Sequence, residues 1–311
     1  MKHRLEYLLA RAAIAVVRIM PHWLVRSVGS TLGLIVYVVD APHRRIALQN
    51  LEVAFPTRSP AERRAIARGA FAHFGRLLFE LLKFGTLTNE QILKRVEIEG
   101  ADRVRSAYAQ GRGVLFVTGH FGSWELHSLA HGLAFEGIGV LARALDNPRL
   151  NTLLEQIRER TGNFTIYRRE TVRRVMRTLD AGHGVAILID QHIMSRDAIY
   201  VDFFSRPAAT TSLVAALALR TGAPVIPVFA LPLPRGRYKL VYEHPVEPPP
   251  ADAANAVHDF TQRCTDVLEM YVRRNPEQWL WMHRRWRQLP EGEDNSQVSN
   301  LNSQESADGE S

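Results

Sequence analysis

The chain of 311 residues is nearly free of cysteine, with Cys264 as its single thiol. One cysteine excludes a disulfide within the chain and argues against a cysteine-based metal site. The sequence also lacks a G-x-S-x-G elbow, a phosphate-binding loop and a dinucleotide-binding fingerprint. These absences argue against a serine acyl-enzyme, P-loop chemistry and a nicotinamide or flavin cofactor. We therefore expect no cofactor.

Two histidines have a spacing that can bind a metal ion. His127 and His131 are four residues apart and would share one face of a helix. No H-E-x-x-H motif accompanies them, and the sequence offers no third ligand. We interpret them as helix-surface or core histidines and expect no metal site.

Acidic residues are scarce in the body of the chain and concentrated near its end. Residues 291–311 carry six acidic residues and no basic one, so the rest is more basic than the net charge of +7. A basic body indicates anionic partners, such as phospholipid, nucleic acid or a phosphorylated substrate. Basic clusters occur at "RRETVRRVMR" and "HRRWR", but no recognition module for nucleic acid accompanies them. We expect no nucleic-acid partner, and we predict that the polar segment 291–311 is a disordered acidic tail.

Residues 1–40 are rich in leucine, isoleucine and valine and are divided by Pro21. In the first part, Arg4, Arg11 and Arg18 recur every seven residues and fall on one stripe of a helix. An arginine at mid-bilayer costs about 2.5–3.5 kcal/mol. The pattern therefore favours membrane-associated helices lying in the bilayer surface over a spanning helix or a cleaved signal peptide. The alternative is a pair of amphipathic helices packed on the protein's own core.

Residues 41–290 alternate short apolar runs with amphipathic stretches, the pattern of an α/β domain with a largely parallel sheet. Residues 60–85 and a stretch near 254–274 are predicted helices, as are "NPRLNTLLEQIRERTG" and "TVRRVMRTLDAG". A half-exposed antiparallel strand is predicted in "RYKLVYEHPVE". The predicted buried strands are "GVLFVTG", "GIGVLA", "NFTIY", "HGVAILID" and "APVIPVFAL".

The stretch "TGHFGSWEL", residues 118–126, follows the first of these strands. Functional side chains of α/β proteins gather where strands end. Gly119 permits a turn at His120, and Ser123 is a plausible N-cap of the next helix. His120 would then act as a general base, with Glu125 as the carboxylate that orients it. The alternative is a structural histidine at a strand end.

At these residues the sequence resembles the glycerolipid acyltransferases, whose motif is a histidine, four residues and an acidic residue. More narrowly, it is similar to the bacterial late acyltransferases of lipid A biosynthesis, the lauroyl and myristoyl transferase family. The further matching stretches are "QNLEVAFP", "RALDNPRLNTLLEQIRERTG", "LIDQH", "VDFFSRPAATTSLVAALALRTGAPVIPV" and "PEQWLWMHRRWR". Together they cover roughly residues 5–290. The motif reads "DQH" and "FFS" where many relatives differ, and a subgroup with another acceptor would show such departures.

The resemblance implies an O-acyltransferase that moves a fatty acyl group from a thioester to a hydroxyl of a lipid A precursor or related membrane glycolipid. Acyl carrier protein or acyl-CoA would be the donor, and no covalent enzyme intermediate would form. His120 would be the base and Glu125 its partner, with Asp190 an acidic residue near the site. Arg143 and Arg160 would hold substrate phosphates, with Gly119 and Ser123 also at the substrate. The implied location is the cytoplasmic face of the inner membrane.

Several alternatives stay open from the sequence. The acceptor could instead be another lysolipid, an aminolipid or a phosphatidylinositol mannoside. A protein of another class, binding lipid on the same fold without turnover, is a further alternative. Candidate walls for an acyl groove are "FGRLLFELLKF" and the pair Phe203–Phe204, each of which could equally be ordinary core.

Overall fold

The fold is taken from a computed structural model that describes residues 2–167, 171–193, 198–250 and 252–287. The predicted acidic tail, residues 291–311, lies outside the described residues, as does the end of the predicted 41–290 domain. Five helices precede the first strand: α1 Lys2–Ile19, α2 His22–Val39, α3 Ala41–Ala54, α4 Pro60–Phe84 and the short α5 Asn89–Leu93. The predicted break at Pro21 and the predicted helix at residues 60–85 are confirmed.

Glycines bring α2 and α4 into close contact. A Cβ at Gly33 would lie 2.1 Å from the carbonyl oxygen of Phe71, and one at Gly75 would lie 2.3 Å from that of Gly29. Only glycine lets the two backbones approach this closely. The ammonium of Lys83 on α4 also donates to the carbonyls at the end of α1, at 2.8 Å to Arg18 and 2.9 Å to Met20. The N-terminal helices are thus attached to the rest of the protein.

The other sides of α1 and α2 expose an unusual amount of apolar surface. Among the described residues, α2 is the one helix whose length and composition suffice to cross a membrane. One face of these helices packs on α4 and the other is uncovered, and membrane association of residues 1–40 stays a prediction. The exposed large side chains are Leu5, Leu8, Leu9, Val16 and Ile19 on α1, and Trp23, Leu32, Leu34, Ile35, Val36, Val38 and Val39 on α2.

The centre of the protein is a seven-stranded sheet in the order β1-β9-β8-β2-β5-β3-β4. Strands β8, β2, β5, β3 and β4 are parallel, while β9 pairs antiparallel with β8 and parallel with β1. Helices flank this mixed, largely parallel sheet, so the predicted α/β class is confirmed. The strands are β1 Val96–Glu99, β2 Val114–Thr118, β3 Gly139–Ala142, β4 Phe164–Tyr167, β5 Gly184–Leu188, β6 Ala198–Asp202, β7 Pro207–Thr211, β8 Val225–Pro232 and β9 Tyr238–Tyr242.

All five predicted buried strands are present, as β2, β3, β4, β5 and β8. The predicted strand at "RYKLVYEHPVE" is antiparallel to β8, as expected, but it is not half-exposed. Tyr238, Leu240, Val241 and Tyr242 are all buried because β1 covers its other edge and helices cover its faces. Sequence reasoning missed β1 and the antiparallel pair β6–β7.

The remaining helices connect the strands and cover the sheet. The predicted helices near 148–162, 171–182 and 254–274 correspond to α8, α9 and α11. The helix bounds are α6 Ala101–Tyr108, α7 Trp124–Ala134, α8 Pro148–Glu159, α9 Thr171–Asp180, α10 Leu213–Thr221 and α11 Ala256–Arg274.

Candidate active site

Two neighbouring parallel strands end at the candidate site. β2 and β5 pair in a register that sets Thr118 opposite Leu188. His120 and Asp190 each follow two residues after these paired positions. The register of the sheet therefore brings together an imidazole and a carboxylate that are 70 residues apart in the chain.

Asp190 holds His120 with both carboxylate oxygens. Oδ1 accepts a hydrogen bond from Nδ1 of the imidazole at 2.8 Å, and Oδ2 accepts one from the backbone N–H of His120 at 2.7 Å. A Cβ at position 119 would lie 2.8 Å from Oδ2 and 2.9 Å from Cδ2 of Leu268. Gly119 thus makes room for the carboxylate behind the histidine.

A C-terminal segment, residues 276–287, closes around the same carboxylate. The indole N–H of Trp279 donates to Oδ2 of Asp190 at 2.8 Å. The backbone N–H of Leu280 donates to the carbonyl of His120 at 3.1 Å. Sequence reasoning assigned no role to Trp279, although the resemblance covers this segment. A buried indole N–H needs a hydrogen-bond acceptor, so a tryptophan within a matching motif is a candidate partner for the acidic residue of the site.

Electrostatics favour the charged form of both partners. Burial lowers the pKa of His120, but the charge and hydrogen bond of Asp190, with a contribution from Glu125, outweigh it and raise that pKa above its ordinary value of 6.5. Burial raises the pKa of Asp190, but the charge and hydrogen bonds of His120 and the N–H of Trp279 outweigh burial, so the pKa lies below its ordinary value. Nearby His283 has its pKa lowered to about 4, chiefly by burial. The pair thus stabilises an imidazolium flanked by a carboxylate.

The second nitrogen of the imidazole is the one that can exchange a proton with a ligand. Because Nδ1 donates to Asp190, the neutral ring carries its lone pair on Nε2. The side chain of His120 is 21% exposed, and the amide nitrogen of Gln191 lies 3.3 Å from Nε2. The ring packs edge-on against Trp124, with their centroids 5.3 Å apart. Nε2 is therefore a basic atom at an accessible surface.

Glu125 does not hold His120, which corrects the predicted pairing. Its carboxylate forms a two-pronged ion pair with Arg158, at 2.5 Å to Nη2 and 2.9 Å to Nε. Both side chains are nearly buried, with exposed fractions of 11% and 12%. The five-residue spacing places Glu125 in the first turn of α7, where α8 supplies Arg158 as its partner. Glu125 acts on His120 only through its charge.

Replacing Glu125 with glutamine should therefore act mainly on the ion pair. Arg158 would be left buried without its counter-charge, and breaking a buried pair costs about 3–5 kcal/mol of unfolding free energy. Glu125→Gln combined with Arg158→Met should recover much of that loss, as thermal or denaturant unfolding would measure. Equal stability of the single and double variants would contradict this account.

Ser123 stands at the predicted N-cap position, since α7 begins at Trp124. Its side chain accepts no capping hydrogen bond, contrary to expectation. The hydroxyl is buried and has no hydrogen-bond partner among the described residues. Its backbone N–H instead donates to the carbonyl of Ala230 on β8 at 2.8 Å. Gly122, at φ +59°, lets the chain make this turn, since a Cβ there would lie 2.3 Å from the same carbonyl.

The two arginines predicted to hold phosphate differ in their surroundings. The guanidinium of Arg160 donates to carbonyls at the end of α4, at 3.0 Å to both Phe84 and Gly85. It therefore caps α4, and phosphate binding by Arg160 stays a prediction. Arg143 is 77% exposed and lies 3.5 Å from Asp146, itself almost fully exposed. Phosphate binding by Arg143 stays a prediction.

The two candidate acyl walls also differ. Phe203 and Phe204 are buried, and they pack against the tryptophans of the 276–287 segment. They are ordinary core and not a groove wall. Phe74, within "FGRLLFELLKF", is only half-buried and contacts Trp124, with ring centroids 5.8 Å apart. An aromatic surface formed by Phe74 and Trp124 thus begins beside His120.

The two helical histidines belong to the core. His131 is bonded to two tyrosine hydroxyls, Tyr108 at 3.2 Å and Tyr242 at 2.9 Å. Burial lowers the pKa of His127 to about 3 and keeps it neutral. Across residues 2–167, 171–193, 198–250 and 252–287, no cluster of three side chains has the composition of a metal site.

Comparison with known proteins agrees with the motif. Residues 2–288 match the family model described as bacterial lipid A biosynthesis acyltransferase. In Escherichia coli strain K12, the lipid A biosynthesis lauroyltransferase is 30% identical over 275 residues, covering 88% of each chain. The palmitoleoyltransferase of that strain is 27% identical, covering 88% of each chain, and its myristoyltransferase is 26% identical over 87% of this chain and 83% of its own. A match over nearly all the described residues shows that the chain belongs to the bacterial lipid A biosynthesis acyltransferase family and is an O-acyltransferase.

Proposed function

We propose that His120 is the general base that activates a hydroxyl of a lipid A precursor toward an acyl thioester. Nε2 takes the hydroxyl proton as the oxygen bonds to the acyl carbon. The tetrahedral intermediate then collapses, the carbon–sulfur bond breaks, and the imidazolium returns its proton to the thiolate. The products are the ester and a free thiol, and no acyl group becomes attached to the enzyme.

The observation that carries this proposal is the carboxylate-held imidazole with its second nitrogen at the surface. Asp190 fixes the tautomer in which Nε2 is basic and stabilises the imidazolium once the proton has moved. A structural histidine would have both nitrogens enclosed in the protein, whereas the partner of Nε2 is the exposed amide of Gln191, which a substrate hydroxyl can displace. Family membership supports the overall reaction, acyl transfer to lipid A. The role of His120 as the base in that reaction is our proposal.

The acyl chain would lie on the aromatic surface formed by Phe74 and Trp124. Trp124 contacts both Phe74 and the imidazole. A fatty chain placed there would bring its thioester to His120, which favours this surface over the buried Phe203–Phe204 pair. The donor would be acyl carrier protein or acyl-CoA, arriving from the cytoplasm.

The exposed apolar sides of α1 and α2 would attach the enzyme to the cytoplasmic face of the inner membrane. An in-plane position is favoured because α2 is packed against α4, which also exposes Arg64 and Arg68. Drawing α2 across the bilayer would bring these charges toward hydrocarbon, at about 2.5–3.5 kcal/mol for each arginine. Exposed Arg4 and Arg18 on α1 would meet anionic headgroups.

Acyl transfer by the purified protein tests the function directly. The full chain in detergent micelles would be incubated with a labelled acyl thioester and a lipid A precursor, and the products weighed by mass spectrometry. We expect a mass increase of one acyl group on the precursor and release of free thiol. Transfer only to a lysolipid, aminolipid or phosphatidylinositol mannoside would mean that this lipid, and not a lipid A precursor, is the acceptor. Failure to transfer to any acceptor would favour a lipid-binding protein without turnover.

A further inference from the structure

A large cavity has no part in the proposed reaction. Its volume is about 1180 Å³, and its walls come from α3, the turn between β6 and β7, and the 276–287 segment. Four arginines line it: Arg45 from α3, Arg206 from the turn, and Arg284 and Arg287 from the segment. Three separate parts of the chain thus direct guanidinium groups toward one space.

Three of the four lining arginines lack an acidic partner in the described part of the protein. None of the lining residues is acidic. Arg45, Arg206 and Arg284 have no ion pair or side-chain hydrogen bond among the residues that the structure describes. These side chains are exposed, and several positive charges facing one space create a potential that attracts an anion. Guanidinium groups bind phosphate oxygens in pairs, which makes phosphate the best-matched anion.

The frame of the cavity is held by buried polar side chains. The amide of Asn50 on α3 donates to the carbonyls of Trp281 and His283, at 2.7 and 2.6 Å. The guanidinium of Arg285 is buried, with an exposed fraction of 1%, and donates to the carbonyl of Ala209 on β7 at 2.6 Å. Arg285 lies between the lining residues Arg284 and Arg287 and anchors the segment that carries them. The lining groups are therefore carried on a fixed backbone, as a binding site requires.

The same segment connects the cavity to the catalytic pair. The imidazole of His283 accepts a hydrogen bond from the backbone N–H of His192 at 3.0 Å. His192 follows Gln191, whose amide approaches Nε2 of His120. The positive charge of Arg287 contributes to lowering the pKa of His192, after burial. The backbone that carries the lining arginines is thus hydrogen-bonded to the loop that follows β5, next to His120.

The position of the cavity relative to the exposed apolar helix indicates the class of ligand. Ala41 and Pro42 at the start of α3 line the cavity, and the exposed Val38 and Val39 end α2 directly before them. If α2 lies in a bilayer surface, the cavity opens at the level of lipid headgroups. Its wall also includes Trp286, a flat apolar face suited to a sugar ring.

We propose that this arginine cavity binds a phosphomonoester on the headgroup of the membrane glycolipid acceptor. The volume exceeds what a phosphate needs and suits a headgroup of more than one sugar. A concave cavity favours such a group over a folded acidic carrier protein, which would dock on a broader surface. The inference rests on the proposed function. Three of the cavity arginines, unlike Arg160, are not occupied by main-chain carbonyls in the described part of the protein.

The test uses the full chain with Arg206→Gln and Arg284→Gln, separately and together, and Arg220→Gln as a matched control. Arg220 is an exposed arginine on α10 that does not line the cavity. Initial rates would be measured with the phosphorylated acceptor and with the same acceptor after its phosphate has been removed. Each cavity variant should raise the KM for the phosphorylated acceptor about ten-fold, as expected for loss of one charged hydrogen bond. The KM for the donor, kcat and the rates of the control should stay as in the wild type.

Binding measurements separate this inference from the proposed function. Flotation with neutral phosphatidylcholine vesicles, with and without the phosphorylated acceptor, needs no turnover. Selective binding that is lost in the double variant supports the cavity even if no acyl transfer occurs. Competition by inorganic phosphate alone, without a preference for acceptor vesicles, would mean an ion site and would overturn the headgroup assignment. A raised KM for the donor alone would point to the carrier protein and would also overturn it, as would no change at all.

Discussion

Replacing His120 with alanine should lower the rate of acyl transfer by about 10²–10⁴-fold, the usual contribution of a general base. The loss should appear in kcat, because the lone pair on Nε2 accepts the proton in the transition state and does not contribute to the binding of either substrate. Initial rates with saturating donor and acceptor would measure it. A variant that keeps a tenth of the wild-type rate would contradict a basic role for this imidazole.

A second substitution controls for the possibility that the alanine variant loses activity because it misfolds. Alanine also removes the donor to Oδ1 of Asp190, which leaves a buried carboxylate with one partner fewer. His120→Asn keeps an N–H group where Nδ1 stands and has no basic nitrogen. It should unfold close to the wild-type temperature while losing activity to the same degree as the alanine variant. His183→Asn, a change at an exposed histidine paired with Glu136, serves as the control and should keep full activity.

Replacing Asp190 with asparagine should have an effect of similar size through the tautomer of His120. Oδ2 accepts two hydrogen bonds, from the backbone of His120 and from Trp279, so the amide oxygen will occupy that position. The amide nitrogen must then face Nδ1, and it can only donate. Nδ1 becomes the acceptor, the proton moves to Nε2, and the basic atom no longer faces the substrate. We expect a loss of about 10²–10⁴-fold in kcat.

The pH dependence distinguishes this positioning role from a structural one. The base must be neutral, so kcat/KM rises with pH through the pKa of free-enzyme His120. Asp190 raises that pKa above its ordinary value of 6.5, so the acidic limb of the wild type should lie above pH 6.5. Removing the carboxylate lowers the pKa, and the limb of the residual activity should move to lower pH. An unchanged limb would mean that Asp190 does not act through His120.

The place of His120 could be predicted from the sequence because the end of a buried strand has a clear sequence pattern there. An apolar run, then a glycine, then His120 marks the carboxyl end of a buried strand, and β2 ends at Thr118 as expected. The partner of the histidine was harder to predict. Glu125 is near in sequence, but pairing across the sheet depends on which strands are neighbours and in what register.

The register explains why Asp190 and not Glu125 holds the imidazole. β5 lies beside β2, and the equal two-residue extensions beyond Thr118 and Leu188 align the two side chains. Glu125 finds Arg158 because α7 and α8 pack together, a tertiary fact that spacing within one motif does not contain. Weak local signals explain the other misses: β1 has four residues on a sheet edge, and β6 and β7 pair only with each other.

The position of Trp279 has a consequence for the order in which the enzyme is made. The indole that completes the environment of Asp190 lies 89 residues later in the chain. The carbonyls of Trp281 and His283, which accept hydrogen bonds from the amide of Asn50, also belong to this C-terminal segment. A growing polypeptide emerges from the ribosome with its imidazole and carboxylate already synthesised, but without the indole that supports them. The environment of His120 and Asp190 can therefore be completed only near the end of translation.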